Sequence, residues 1–191
     1  MDFNTVISKY KVSEYKELSQ KPDSGVYLMS RGEEDCFVLR IYSHEMPVYE
    51  MLKKQGYKGF PQVYDCRWED EFFVVEEQFV DGVSLQEMID GGEKMDEKRA
   101  MNITAKTCNA LDLLHRSGFI HRDVKPEHVM MNQQGEIFLI DLDAAMRIEP
   151  GKRNDTRVLG TAGYAAPEQF GLTRSDIRTD IYAVGILLNT L

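Results

Sequence analysis

Two stretches near the start of the chain are dense in β-branched and aromatic residues: Gly25-Val26-Tyr27-Leu28-Met29 and Cys36-Phe37-Val38-Leu39-Arg40-Ile41-Tyr42. Such residues suit a pleated, half-buried surface. The polar run Arg31 to Asp35 between them reads as a turn, so the pair predicts a hairpin. Pro47 suits the first turn of a helix, and Val48, Met51, Leu52 and Gln55 then fall on one face. A second hairpin is predicted from Val63 to Trp68 and Phe72 to Val75, turning at Glu69-Asp70-Glu71. In all, the pattern predicts roughly five strands and one helix in the first 80 or so residues.

Asp81-Gly82 breaks the alternation, and a helical period follows. Ser84 to Asp90 is a short helix that Gly91-Gly92 can end. Asp96 can cap a longer helix to about Ser117, with Ile103, Ala110, Leu111 and Leu114 on one face and Gly118 closing it. Short strands and irregular segments are expected from Phe119 to about Asp143. The polar stretch Glu149 to Arg157 reads as a mobile loop. From Asp180 the chain is apolar nearly all round, as a helix buried on every side would be. No internal repeat is visible. A strand-rich half joined to a helical half is an α+β arrangement, and a cleft between two such halves is the usual place for a ligand.

Composition narrows the classes. Of the 191 residues, 42% are hydrophobic and 29% charged, which supports a packed core and argues against disorder. The net charge of −9 weighs against a nucleic-acid or anionic-membrane surface. Cys36, Cys66 and Cys108 are widely spaced and form no CxxC pair, so neither a zinc site nor a disulfide framework is indicated. They fit a reducing cytoplasm. The longest apolar run, Ile181 to Leu188, is too short to span a bilayer. It carries no stop signal before Leu191, so the chain is expected to be a piece of a longer domain.

The chemistry concentrates in "HRDVKPEHVMMN", His121 to Asn132. A phosphoryl acceptor hydroxyl needs a carboxylate to orient it and take its proton, as Asp123 could. A cation beside the transferred group offsets its growing charge, as Lys125 could. Downstream, the strand Ile137-Phe138-Leu139-Ile140 ends in Asp141-Leu142-Asp143, where Asp141 offers the oxygen that a hard cation wants. Then come Gly160-Thr161-Ala162-Gly163-Tyr164-Ala165-Ala166-Pro167-Glu168 and Asp180-Ile181-Tyr182-Ala183-Val184-Gly185.

In that order these segments resemble the catalytic loop, the DFG segment, the APE end of the activation segment and the central helix of protein kinases. The chain thus resembles the bacterial, eukaryotic-like serine/threonine kinases. The resemblance implies a two-lobed fold with a small lobe over 1–78, a hinge at 79–82, and a partial large lobe over 83–191 that ends inside the central helix. It implies ATP and Mg²⁺, a protein substrate or regulatory protein partner, a cytoplasmic location, and no nucleic acid or membrane contact from this segment. Asp123 and Lys125 take the catalytic positions and Asp141 and His128 the metal positions. Val26, Val38, Arg40, Gln78, Val80 and Met130 take those around the nucleotide. Asp180 takes the position of the acid that braces the catalytic-loop backbone. Thr156, with Arg122 as phosphate partner, is a candidate phosphosite. The other two histidines, His44 and His115, read as structural.

The chain also departs from the family's pattern. Ser19, Lys21 and Ser24 occupy the Gly-rich loop positions, with Gly25 nearby and Pro22 removing a donor. Arg40 stands where a Lys belongs, and Val38 where an Ala narrows the adenine pocket less. The helix acid that should pair with residue 40 has no clear counterpart: Glu50 lies about 200° round the helix from Leu52, and Glu45 precedes Pro47. Glu77 falls behind the adenine position. His128 replaces an Asn at the second metal position, and Asp143 replaces a Gly. Two functions follow as alternatives. One is a serine/threonine kinase transferring the γ-phosphoryl of ATP to protein hydroxyls. The other is a pseudokinase that binds nucleotide or protein. The complete activation segment argues against a small-molecule kinase. With the family's later helices missing, Ile181, Val184, Ile186 and Leu188 are expected to be partly uncovered and the chain only marginally stable.

Overall fold

The computed structural model describes residues 3–32, 35–148, 160–170 and 174–191. The Glu149 to Arg157 stretch and the Thr156 phosphosite lie outside them. The chain divides into two compact units, Met1–Gly56 with Pro61–Phe79, and Tyr57–Phe60 with Val80–Leu191.

The first unit is a five-stranded antiparallel sheet with two helices. A short helix α1 (Asn4–Ile7) precedes β1 (Glu14–Lys21), β2 (Ser24–Ser30) and β3 (Cys36–Tyr42). Helix α2 (Pro47–Gln55) then leads to β4 (Val63–Glu69) and β5 (Phe72–Gln78), and the strand order is β1-β2-β3-β5-β4. Strand alternation gives the sheet two faces. One carries Tyr27, Met29, Phe37, Leu39, Ile41, Phe72 and Val74, packed into a core with Phe3, Val6 and Ile7. The other carries Val38, Arg40 and Tyr42 opposite Glu77, Val75 and Phe73. Helix α2 buries Val48, Tyr49 and Leu52, sets the Tyr49 hydroxyl 3.2 Å from that of Tyr42, and ends on left-handed Gly56.

Helix α1 and strand β1 leave little trace in the hydrophobic pattern. All eight residues of β1 are exposed, so no alternation marks it. Its pairing with β2 closes through the two-residue turn Pro22-Asp23, in place of the family's Gly-rich loop. Gly25 does not serve such a loop. A Cβ there would come within 2.8 Å of the Tyr27 ring and 2.9 Å of Phe3, so it is a packing glycine.

The second unit opens with β6 (Gly82–Ser84), α3 (Leu85–Asp90) and α4 (Glu97–Arg116), followed by β7 (Phe119–Ile120), β8 (Val129–Asn132), β9 (Ile137–Leu139), β10 (Met146–Arg147) and α5 (Ile177–Thr190). The Ser84 hydroxyl and Glu87 form a capping box for α3, and the Asp96 carboxylate accepts from the Arg99 N–H to cap α4. Strands β6, β8 and β9 make one small sheet and β7 pairs with β10. Helix α5 begins at Ile177, capped by Asp176, earlier than the apolar run implied. It is not buried on every side. Ala183, Val184 and Leu187 are buried, whereas Ile181, Tyr182 and Leu188 are exposed. Among the described residues no helix is long and apolar enough to cross a membrane. The three cysteines are half-buried and unbonded, and burial pushes the Cys66 and Cys108 thiols up, away from reactivity.

Residues 57–60 pack within the second unit, with a tight contact at Gly59. Gly59 has φ +86°, its carbonyl accepts from the Leu139 N–H at 2.7 Å, and a Cβ would lie 2.7 Å from the Ala110 Cβ. Both the backbone angle and the space exclude a side chain. Gly59→Ala is therefore expected to destabilise the protein by about 2 kcal/mol. Chemical denaturation checks this, and an unchanged midpoint would show that the contact relaxes freely.

Candidate active site

The backbone from His121 to Asp123 is held from several sides of the second unit. Asp180 on α5 is fully buried. One of its oxygens accepts the His121 N–H at 2.9 Å and the other the Arg122 N–H at 2.8 Å. His115 Nε2 lies 2.7 Å from the same carboxylate. A buried acid is stable only when its lone pairs are filled, and here three donors fill them. Arg122 has φ +68°, a costly angle for any residue with a Cβ. Its neighbours fix it: Nε donates to the Ala144 carbonyl at 2.7 Å, and Gln169 Nε2 donates to the Arg122 carbonyl at 2.7 Å.

This frame presents Asp123 and Lys125 together. Lys125 Nζ lies 3.3 Å from Asp123 Oδ2. Thr161 joins them: Lys125 Nζ donates to its hydroxyl at 2.9 Å, and that hydroxyl donates to Asp123 Oδ1 at 2.8 Å. A carboxylate, an ammonium and a hydroxyl thus form one hydrogen-bonded group. The hydroxyl marks where the 160–170 segment meets the catalytic loop. Glu168 in that segment accepts from the Thr179 hydroxyl at 2.8 Å, which ties it to the start of α5.

His128 lies between the two acids. Its Nδ1 sits 2.9 Å from the Asp123 carbonyl. A carbonyl can only accept, so Nδ1 bears a proton. Nε2 then faces Asp141 Oδ2 at 3.2 Å, and that contact is a hydrogen bond only when Nε2 is protonated too. A cation approaching the same oxygen competes with this imidazole. Asp141 has φ +60°, and its Oδ1 accepts from the Asp143 N–H at 3.2 Å. Positive φ in this segment therefore falls on Asp141 and not on Asp143, so the loss of a glycine at 143 imposes no strain here.

The donor set fits one Mg²⁺ better than two. Asp141 offers carboxylate oxygen, whereas His128 offers nitrogen, which Mg²⁺ binds poorly. Among the described residues no group of three or more His, Cys, Asp or Glu side chains could cage a metal unaided. A Mg²⁺ ion here needs phosphate oxygens to complete its shell.

The nucleotide candidates divide between the units. In the first, Val26 pairs with Arg40 across β2–β3, and Val38 shares their face. Arg40 is buried and its Nε donates to Glu77 Oε1 at 2.6 Å. Gln78 belongs to the other face. Its N–H donates to the Gln62 carbonyl at 2.8 Å and its side chain accepts from the Gln62 N–H. In the second unit Val80 is buried, and Met130, half-buried on β8, pairs with Ser84 and Phe138. Thr161, Gln169, His115 and Glu77 were not singled out for these contacts by the sequence. Glu77 was marked only by its place behind the adenine position, 37 residues from Arg40. The others act across 38 to 65 positions of chain.

His121 carries a titration consequence. It is fully buried, and desolvation holds its imidazole below the ordinary value of 6.5. Its Nδ1 accepts from the Asp123 N–H at 3.3 Å, so the neutral ring is the form the site uses. The unfolded chain binds the extra proton and the folded one resists it, so stability is full above the unfolded pKa and falls as pH drops below about 6.5. The loss should approach about 1.4 kcal/mol per pH unit from this group. Thermal melts between pH 7.5 and 5.5 check it: Tm should fall on acidification, and less steeply in His121→Phe. Equal slopes in both proteins would contradict it.

A model of the protein kinase domain matches residues 40–191 of the chain. Over 114 residues the chain is 36% identical to the serine/threonine-protein kinase PknB of Mycobacterium tuberculosis, covering 58% of this chain and 18% of that protein. It is 35% identical over 117 residues to a probable serine/threonine-protein kinase of Streptomyces coelicolor, covering 60% and 17% respectively. A probable PknB of Lactococcus lactis is 28% identical over 162 residues, covering 84% of the chain and 25% of that protein. The chain thus spans a quarter or less of the length of these relatives. With the family model matched over most of its length, and with Asp123, Lys125, Asp141 and Asp180 gathered as the motif order implies, the chain belongs to the protein kinase domain family.

Proposed function

We propose that the protein is a serine/threonine kinase of the cytoplasm, transferring the γ-phosphoryl of ATP to hydroxyls of protein substrates. The observation that carries this reading is the Asp123–Thr161–Lys125 group, with bonds of 2.8 and 2.9 Å. In the reaction the acceptor oxygen bonds to the γ-phosphorus as the bond to the β–γ bridging oxygen breaks. Asp123 orients the acceptor hydroxyl and takes its proton, and ADP leaves with the electron pair. Lys125 sits beside the carboxylate, where a cation offsets charge on the transferred group. Asp141 would hold Mg²⁺, which neutralises charge on the phosphates when bound. Arg40 would bind phosphate in place of the family's Lys.

His128 favours a second reading. Its Nε2 lies 3.2 Å from the Asp141 oxygen that a cation needs, so a pseudokinase that binds nucleotide or protein without turnover is the alternative. The two readings separate in one assay, Mg²⁺-dependent phosphorylation of a general protein substrate or of the chain itself. On the kinase reading Asp123→Asn lowers turnover by about 10² to 10⁴ while nucleotide affinity stays near that of the native protein. His128→Asn should lower the Mg²⁺ concentration needed for half-maximal rate. Nucleotide binding without transfer, unaffected by Asp123→Asn, would establish the pseudokinase instead.

A further inference from the structure

We infer that Glu77 on β5, and not an acid carried by helix α2, is the carboxylate that positions Arg40 for phosphate binding. The cation is thus set within the sheet and does not follow the helix. This rests on the proposed nucleotide site.

The register makes the pair. Val38 lies opposite Glu77 and Arg40 opposite Val75, so Arg40 and Glu77 are diagonal neighbours on one face. Long side chains reach across that diagonal. Both are almost fully buried, at 6% and 4% exposure. The 2.6 Å bond from Nε to Oε1 is short, as expected of a charge-assisted pair. On the same face the two strands supply Val38 and Val75, both buried. A buried ion pair gains little over apolar residues of the same size. Its presence in this apolar setting therefore points to a task other than stability.

The helix offers no such acid. Glu45 precedes α2 and is exposed, and Glu50 is half-buried. Neither pairs with Arg40 among the described residues. Helix α2 meets the sheet through Tyr49, whose hydroxyl touches that of Tyr42, and through the partly exposed pair of Lys53 with Asp65. Strands β3 and β5 are both interior strands, bonded on each side. Their diagonal is among the most rigid relations in this unit.

The same geometry accounts for arginine at position 40. A lysine has one nitrogen, so a bond to the sheet and a contact with phosphate would have to share a single ammonium. Arginine bonds Glu77 through Nε, and this fixes the plane of the fork that carries its terminal nitrogens. In protein kinases generally, the pair between the strand cation and the helix acid must form for activity, and helix position controls it. Here a shift of α2 would leave the Arg40 pair intact, so helix movement is not the switch.

The experiment uses the full chain and two readouts. In nitrogen-edited NMR, Arg40 should give a down-field, slowly exchanging Nε–Hε signal. Glu77→Gln should abolish it, and Glu45→Gln and Glu50→Gln should keep it. By calorimetry with Mg·ATP, Glu77→Gln and Arg40→Lys should each weaken binding by about tenfold or more, while Glu45→Gln and Glu50→Gln stay within about twofold. The double variant Arg40→Met with Glu77→Met removes both charges and should fold, showing that lost binding is not lost structure. If Glu50→Gln removes the Arg40 signal or matches the binding loss of Glu77→Gln, the inference is overturned. An unchanged signal in Glu77→Gln overturns it as well. A native chain that binds no Mg·ATP would instead sink the nucleotide reading, while the Arg40 signal would still report whether Glu77 holds it.

Discussion

The Asp180 carboxylate, buried in the first turn of α5 and filled by two backbone N–H groups and the His115 imidazole, is the contact on which the rest of the site depends. Those two N–H groups belong to the turn that bends the chain into the catalytic loop. Arg122 sits there at φ +68°, a conformation that the surroundings must over-determine. Without the acid, two buried donors would lie unpaired at about 1–3 kcal/mol each. The strain at Arg122 would then be free to relax. The proposed base and cation are only one and three residues further on, so their placement inherits the order of this turn.

The two acids of the proposed chemistry are treated differently by their surroundings. Asp123 is supported: a hydroxyl and an ammonium hold its oxygens, and its backbone N–H is bound to a neutral, buried His121. Asp141 is contested. His128 reaches it from the catalytic loop, and the family's oxygen ligand at that position is missing. On the proposed chemistry, the surroundings thus favour orienting a hydroxyl over holding metal. In the first unit the balance is different again, for Arg40 replaces a lysine but has acquired a carboxylate on the next strand. Changes that look like losses one at a time pair up when the fold brings them together.

Much of this was legible in the sequence where chemistry and spacing are local. The two hairpins β2–β3 and β4–β5, the Asp96 cap, the Gly118 stop and the run from His121 to Pro126 all depend on neighbours a few residues apart. Helix α1 and strand β1 were not legible, because β1 is exposed along its whole length and carries no alternating signal. The apolar run after Asp180 implied a helix covered all round. The structure instead covers the Ala183–Val184–Leu187 side and exposes Ile181 and Leu188. In the site, the sequence left the partner of Arg40 open between Glu45, Glu50 and none. The partner was 37 positions away on a strand whose register no local pattern reveals. Thr161 and His115 escaped for the same reason of distance along the chain.

The central claim is that one buried carboxylate sets the loop that carries the chemistry. Hydrogen exchange at the His121 and Arg122 amides, measured together with phosphoryl transfer in the native protein and in Asp180→Ala, tests it most directly. The account predicts strongly protected amides in the native protein. In the variant they should exchange quickly and transfer should be lost, although Asp123, Lys125 and Asp141 are untouched. Amides that exchange freely in the native protein, or a variant that transfers phosphoryl groups at the native rate, would contradict it.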